Sequence, residues 1–226
     1  MALAENLQMD LLFQTFDLKF LDVISYPDLT IEACKTTFIA GDSGTGKSTL
    51  LKLFNGVNSL SAGKILYKGQ NLAELDTLSL RQEVLLISQQ VYLFDELTIE
   101  QNFAEYYSYR ALPPPDQEKT EHFLRLCMAD FPLNAMCANL SGGERQRVFN
   151  AIFTSFEPPV LMLDEPTAAL DEANAVQFLK NIHTQCRGAC GGKGISLIIV
   201  SHDHDLVADF ADQTIVLEGN NTQGGI

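Results

Sequence analysis

Basic residues are scarce in this chain. Fifteen Lys and Arg stand against 29 Asp and Glu, a formal net charge of −14. So acidic a domain lacks the electrostatic footprint of a nucleic-acid binder. It also has no polybasic stretch to hold it on an anionic membrane surface. Long apolar runs are missing: none approaches the ~20 residues of a membrane-spanning helix, so direct membrane insertion is not expected. The opening MALAENLQMD has neither the basic n-region nor the apolar core of a secretory signal. The five cysteines (Cys34, Cys127, Cys137, Cys186, Cys190) are odd in number and scattered, which suits reduced thiols in a cytosolic protein. There is no internal repeat, low-complexity tract or sustained heptad pattern, which argues against solenoids and coiled coils.

What is present is an ordinary globular composition. With 46% hydrophobic and 19% charged residues, the chain is too apolar for intrinsic disorder. Its 226 residues can bury a core without a disulfide or metal staple.

The apolar pattern lays out the elements. From LLFQTFDLKF through YPDLTIEA it predicts two or three strands. CKTTFIA predicts a buried strand that runs straight into GDSGTGKST. Thr49 to Val57 then fits a helix with Leu50, Leu51, Leu53 and Phe54 on its inner side. KILYKG and EVLLIS add two strands. From Gln89 to Asn139 the texture changes: EQNFAEYYSYR, then the breaker Pro113-Pro114-Pro115, then a helix opening near Asp116. Its apolar positions Phe123, Leu124, Leu126, Cys127 and Phe131 suit an amphipathic helix. Beyond it, the strands VLMLD, ISLIIVSHD and TIVLEG alternate with the helices DEANAVQFLKNIHTQC and LVADFA. Such alternation predicts a parallel sheet covered on both faces. The expected fold is α/β in a single domain over residues 1–226. Its core spans about residues 1–88 and 140–226, with a helical insertion over about 89–139.

Gly41-Asp42-Ser43-Gly44-Thr45-Gly46-Lys47-Ser48 matches the phosphate-loop pattern G-x-x-x-x-G-K-S/T at every fixed position. It lies between a predicted strand and a predicted helix opening near Thr49, the context that the motif requires. Its glycines let successive N–H groups curl inward onto phosphate oxygens, and the helix N-terminus adds partial positive charge. Lys47 suits the β- and γ-phosphates, and the Ser48 hydroxyl suits Mg²⁺. Val160-Leu161-Met162-Leu163 then reads as a central strand with Asp164 at its carboxyl end, where open α/β sheets place their ligands. Asp164 suits the Mg²⁺ shell, and Glu165 suits a base or orienter for attacking water.

Leu140-Ser141-Gly142-Gly143-Glu144-Arg145-Gln146-Arg147 resembles the LSGGQ-type signature of ATP-binding cassette (ABC) ATPases. The order of motifs is similar to that family's over about residues 10–218. Gln89 resembles the glutamine loop, Ala168-Ala169-Leu170-Asp171 the D-loop, and His202 the switch histidine. Ser141 precedes two glycines and a helix-forming run, which suits an N-cap and a second anion site.

The resemblance implies a P-loop NTPase core with an antiparallel N-terminal β-subdomain. It implies ATP and Mg²⁺ as cofactors, with Glu165, His202, Lys47 and Gln89 catalytic. ATP would meet Gly41, Asp42, Ser43, Gly44, Thr45, Gly46, Lys47, Ser48 and Thr49, and Mg²⁺ would meet Ser48, Gln89 and Asp164. Ser141, Gly142, Gly143 and Glu144 would cap ATP on a partner subunit, giving a C₂ homodimer on ATP binding. An aromatic stacks on adenine in the family; Phe20 is the candidate here, with Phe16 and Tyr26 as rivals, and all three equally suit the core. Where the family often reads ARAL after the signature, this chain has Asn150-Ala151-Ile152-Phe153.

A lone cassette without coiled coils, a second cassette or zinc inserts resembles the separately encoded ATPase subunit of a bacterial-type transporter. That implies an integral membrane permease as partner and a cytoplasmic, peripheral place at the inner face of the plasma membrane. Phe103, Tyr106, Tyr107 and Tyr109 would either wall the groove that receives the permease or form the insertion's own core. An ATP-driven mechanical or regulatory module acting on a membrane partner is the alternative. His183, Cys186 and Cys190, with His204 further on, have a spacing that a metal can use, but no second Cys pair supports a zinc site.

Overall fold

Two sheets organise the chain in a computed structural model that describes residues 11–168, 170–188, 194–201 and 209–218. The first is antiparallel: β1 (Leu11–Phe20) pairs on one side with β2 (Ile24–Ser25) and β3 (Thr30–Glu32). On its other side it pairs with β5 (Ala62–Tyr67), which carries β6 (Gln70–Asn71). The second is parallel throughout, in the order β10-β4-β9-β8-β7. Its strands are β4 (Thr36–Ala40), β7 (Val84–Ile87), β8 (Val160–Asp164), β9 (Ser196–Val200) and β10 (Gln213–Val216). This is the α/β fold that the sequence pattern predicts.

The parallel strands β4, β8 and β9 are buried at every position, and the period-2 alternation of their side chains divides the core in two. Phe38, Ala40, Leu161, Leu163, Leu197 and Ile199 face one apolar cluster. Ile39, Val160, Met162, Ile198 and Val200 face the other. Helix α1 (Lys47–Phe54) fills the second cluster with Leu50, Leu51, Leu53 and Phe54, beneath the antiparallel sheet's Phe13, Ile31 and Ile65. Helices α3 (Ile99–Tyr109), α4 (Gln117–Leu126), α5 (Gly142–Thr154) and α6 (Glu172–Gly188) pack into the first. A short α2 (Thr77–Glu83) leads into β7.

Helix boundaries follow local chemistry. Helix α1 starts two residues before the predicted Thr49, because left-handed Gly46 (φ 91°) turns the chain directly into it. It ends at Phe54, short of Val57, where the N–H groups of Val57 and Asn58 fold back onto the Lys52 carbonyl. Helix α3 opens with a capping box between Thr98 and Gln101, and α4 with the Asp116 carboxylate accepting from the Lys119 N–H. Of the predicted α4 face, Phe123, Leu124 and Cys127 are buried. Of the predicted helix LVADFA, residues 206–208 lie outside the described residues, and Asp209 and Phe210 form a turn, not a helix. No helix among the described residues is long and apolar enough to cross a membrane.

Phe54 locks the two sheets together. It is fully buried, and its ring stacks on Phe13 with centroids 4.4 Å apart. Phe54→Ala should cost about 3–5 kcal/mol by removing that aromatic volume from the buried core. Urea unfolding should show a lower midpoint at unchanged slope; a midpoint equal to wild type would contradict the packing described.

Candidate functional site

The sheet order decides what meets. Strands β4, β9, β8 and β7 lie side by side and point the same way. Their carboxyl ends therefore share one edge of the sheet. From that edge leave the loop beginning at Gly41, the pair Asp164-Glu165 and the segment carrying Gln89.

Two close approaches hold the phosphate loop. Gly41 (φ 148°) and Gly46 (φ 91°) adopt left-handed conformations, and neither has room for a side chain. A Cβ on Gly41 would come within 2.4 Å of the Leu217 carbonyl oxygen, and one on Gly46 within 2.6 Å of the Tyr26 hydroxyl. That hydroxyl donates to the Gly46 carbonyl at 2.9 Å. Burial pushes the Tyr26 phenol up to about 12, so it stays protonated and a donor. Lys47 is buried, and its Nζ donates to the carbonyls of Gly41 (2.7 Å) and Asp42 (2.8 Å). Its charge thus points into the hollow of the loop.

Ser48 reaches the other half of the site. Its hydroxyl donates to Asp164 Oδ1 at 2.8 Å, joining residues 116 positions apart. Asp164 is buried at the end of β8. Glu165 turns sharply away from the strand, with φ 54° and its N–H donating to the Val200 carbonyl at 2.9 Å. That bend aims its side chain at the loop. Glu165, Gln89, Ile24 and the loop residues Ser43, Gly44, Gly46, Lys47, Ser48 and Thr49 line one cleft of about 330 Å³. A larger groove of about 780 Å³ between α4 and α6 shares none of these residues.

Several expected site residues stand apart from that cleft. The wall nearest the N-terminal sheet is Ile24, not an aromatic. Phe20 packs half-buried on the core, Phe16 lies under the Lys64 ammonium (4.6 Å), and Tyr26 is committed to Gly46. The signature also lies elsewhere. Ser141 caps α5 in a reciprocal box: its N–H donates to Glu144 Oε2 at 2.7 Å, and its Oγ accepts from the Glu144 N–H. The Ser141 N–H holds the exposed Glu144 carboxyl below its usual range. Gly142 and Gly143 occupy the first helical turn, where N–H groups have no intrahelical acceptor. Open space surrounds Gly142.

Asp171 accepts from the Asn174 N–H at the start of α6 (3.0 Å). Ala169, His202, His204 and Cys190 lie outside the described residues. His183 accepts from Arg187 at 3.0 Å, and burial pushes the Cys186 thiol up to about 12. Among the described residues no three His, Cys, Asp or Glu side chains are grouped to hold a metal.

Sequence reasoning missed three supports. Tyr26 holds the loop. Arg145, just inside the signature helix, reaches back to the segment after Gln89, bonding Asp95 (2.6 Å) and the Cys137 carbonyl (2.8 Å). Asn102 is fully buried and bonds both the N–H (2.9 Å) and the carbonyl (3.1 Å) of Phe94. These contacts join distant segments, and no local pattern marks them.

A sequence model of the family described as "ABC transporter" matches residues 24–168. The chain belongs to that ABC transporter family. Among curated relatives, the probable iron export ATP-binding protein FetA of Escherichia coli is 33% identical over 89% of this chain and 86% of its own length. The phosphate import ATP-binding protein PstB of Saccharolobus solfataricus is 31% identical, over 84% and 77%. The sulfate/thiosulfate import ATP-binding protein CysA of Synechocystis is 29% identical over 95% of this chain, which spans only 60% of that relative. Among solved structures, cbiO1 of Clostridium perfringens superposes with TM-score 0.74 and 26% identity, covering 92% of this chain and 85% of that one. A bacterial Atm1-family ABC exporter with ATP bound gives 0.76 and 26%, covering 92% and 38%. The ABC cassette architecture and its ATP-binding character therefore apply to this chain.

The two glycine sites of this ABC chain separate experimentally. Gly46→Ala forces a Cβ onto Tyr26 at a positive φ, about 1–3 kcal/mol of strain, so ATP affinity should fall about tenfold or more. Gly142→Ala meets open space and should leave nucleotide binding by the single subunit unchanged. Fluorescent-nucleotide titration of both variants is the measurement. Equal affinities would mean that the loop is not held as described.

Proposed function

We propose that this chain is the ATP-hydrolysing subunit of an ABC transporter, working as an ATP-sandwich homodimer docked on an integral membrane permease at the inner face of the plasma membrane. The observation that carries this reading is the separation of the two anion sites. The signature N-terminus lies open on the surface and contributes nothing to its own chain's cleft. A second copy related by a two-fold axis uses both: each signature caps the nucleotide held by the other's phosphate loop.

Within each composite site the roles follow from placement. The loop N–H groups and Lys47 hold the β- and γ-phosphates. Ser48 and Asp164 bring a hydroxyl and a carboxylate oxygen together, a hard-oxygen donor set that fits Mg²⁺, and Gln89 lines the same cleft as Ser48. The metal, once bound, neutralises charge on the phosphate oxygens. Glu165 accepts the proton of the attacking water. The water oxygen bonds to the γ-phosphorus, the bond to the β–γ bridging oxygen breaks, and ADP and phosphate leave. His202 takes the γ-phosphate contact by resemblance alone.

The docking reading rests on the loop after Gln89. The Tyr106 hydroxyl donates to the Tyr92 carbonyl, and Arg145 ties Asp95 to the signature helix. A permease segment pressed against this face moves Gln89 and the signature together. Of the expected groove wall, Phe103 and Tyr107 instead belong to the insertion's core, with the Tyr107 hydroxyl bonded to the Ser155 carbonyl at 2.9 Å. Tyr109 remains at the surface, while Tyr106 is half-buried against the core.

Two substitutions test the sandwich. A positioned general base contributes about 10²–10⁴-fold, so Glu165→Gln should lose most turnover while keeping ATP affinity. With hydrolysis blocked, Mg·ATP should hold the pair together against its own negative charge. The variant should elute from a sizing column as a dimer with ATP and a monomer with ADP. A monomer under both conditions would argue against the sandwich. Ser141→Arg places a cation and bulk where the partner's γ-phosphate sits. It should leave ATP binding intact and abolish hydrolysis, and wild-type turnover in this variant would remove the composite site.

A further inference from the structure

One surface combines exposed rings with an excess of acidic side chains. An aromatic spine runs outward from buried Phe149 through Phe153 and Tyr106 to Phe94 and Tyr109, with neighbouring centroids 4.5–6.4 Å apart. It ends in Tyr109, 67% exposed, while Tyr92, beside it through the Tyr106 hydroxyl, is 57% exposed. Because these rings are contiguous and not scattered singly, they form a patch of the kind that marks a partner surface.

The charge around these rings is acidic. Between Gln89 and Tyr109 the chain carries Asp95, Glu96, Glu100 and Glu105 and no Lys or Arg. The turn Phe94–Leu97, closed by the Leu97 N–H on the Phe94 carbonyl, puts Asp95 and Glu96 at its tip. Buried Asn102 holds that turn in place. Glu105 bonds the Tyr109 hydroxyl and raises its pKa. The cations nearby are already engaged. Arg145 pairs with Asp95, and Arg110 lies over the Phe156 ring while donating to the Gln82 carbonyl. Among the described residues, Glu96 and Glu105 have no basic partner.

We infer that the permease segment seated here is a helix with one apolar stripe for Tyr92, Tyr106 and Tyr109 and flanking Lys or Arg side chains for Glu96 and Glu105. This inference rests on the docking reading and adds the chemistry of the partner. An anionic lipid surface is repelled by such a patch, and so is a second copy of this acidic chain where no nucleotide bridges the two. A cationic helix gains twice: Coulomb attraction at the rim, and Arg or Lys stacking on the tyrosine faces.

The probe is a pair of short synthetic helical peptides with one apolar stripe in common, one carrying Lys and Arg on its polar face and the other Glu. Binding to the full chain is read by fluorescence anisotropy. The cationic peptide should bind at least about tenfold more tightly than the anionic one, and less tightly as salt rises. Glu96→Lys with Glu105→Lys should reverse that preference. Glu74→Lys with Glu118→Lys, an equal change of net charge elsewhere, should not. If both double variants weaken the cationic peptide equally, the overall field is responsible and the inference fails. If the two peptides bind alike and Tyr109→Ala abolishes both, docking stands and the charge assignment falls. If neither peptide binds, the docking reading of this face falls with it.

Discussion

In a parallel sheet every strand ends at the same edge, so pairing β4, β9, β8 and β7 in that order gathers loops that lie far apart in sequence. The gathered groups then bond across the edge: Ser48 to Asp164, and the Glu165 N–H to the Val200 carbonyl. Neither contact exists without the register of the sheet. The near-continuous apolar runs of these strands allow that register, since both faces of the sheet are buried. Packing and chemistry are thus one constraint seen from two sides.

The charge distribution sharpens the site. A polyphosphate approaching a chain of net charge −14 meets an unfavourable field, so binding must be concentrated locally. The loop does this with a buried ammonium held by two of its own carbonyls, and with backbone N–H groups at the start of α1. Because these donors are preorganised, little reorganisation is left for the moment of binding.

Three side chains connect that cleft to the rest of the molecule. Tyr26 braces the phosphate loop from the antiparallel sheet, while Arg145 and Asn102 brace the segment after Gln89 from α5 and α3. Each is a buried or half-buried polar group whose bonds are satisfied, so each fixes a geometry more than it adds net stability. The signature helix and the segment after Gln89 are therefore bonded to each other through Arg145, which meets Asp95 and the carbonyls of Leu93 and Cys137.

Much of this was legible in the residues. The phosphate loop, the strand ending in Asp164 and the signature are short-range patterns whose chemistry depends on neighbours along the chain, and the alternation of strands and helices already implied a parallel sheet. The starts of α4 and α5, at Asp116 and Ser141, were legible as caps, whereas α1 runs over Lys47–Phe54 instead of Thr49–Val57 because Gly46 turns the chain into it without a side-chain cap. The aromatic choices were not legible. Phe103, Tyr106, Tyr107 and Tyr109 share one helix, yet packing against α5 buries Phe103 and Tyr107 and leaves Tyr109 in water. Ile24, not Phe20, lines the cleft because the turn after β1 carries the short β2 across the loop. By itself, the sequence determined which groups could do phosphate chemistry. Only the tertiary structure decided which of them meet, because sheet order and helix packing are set by burial summed over the whole chain.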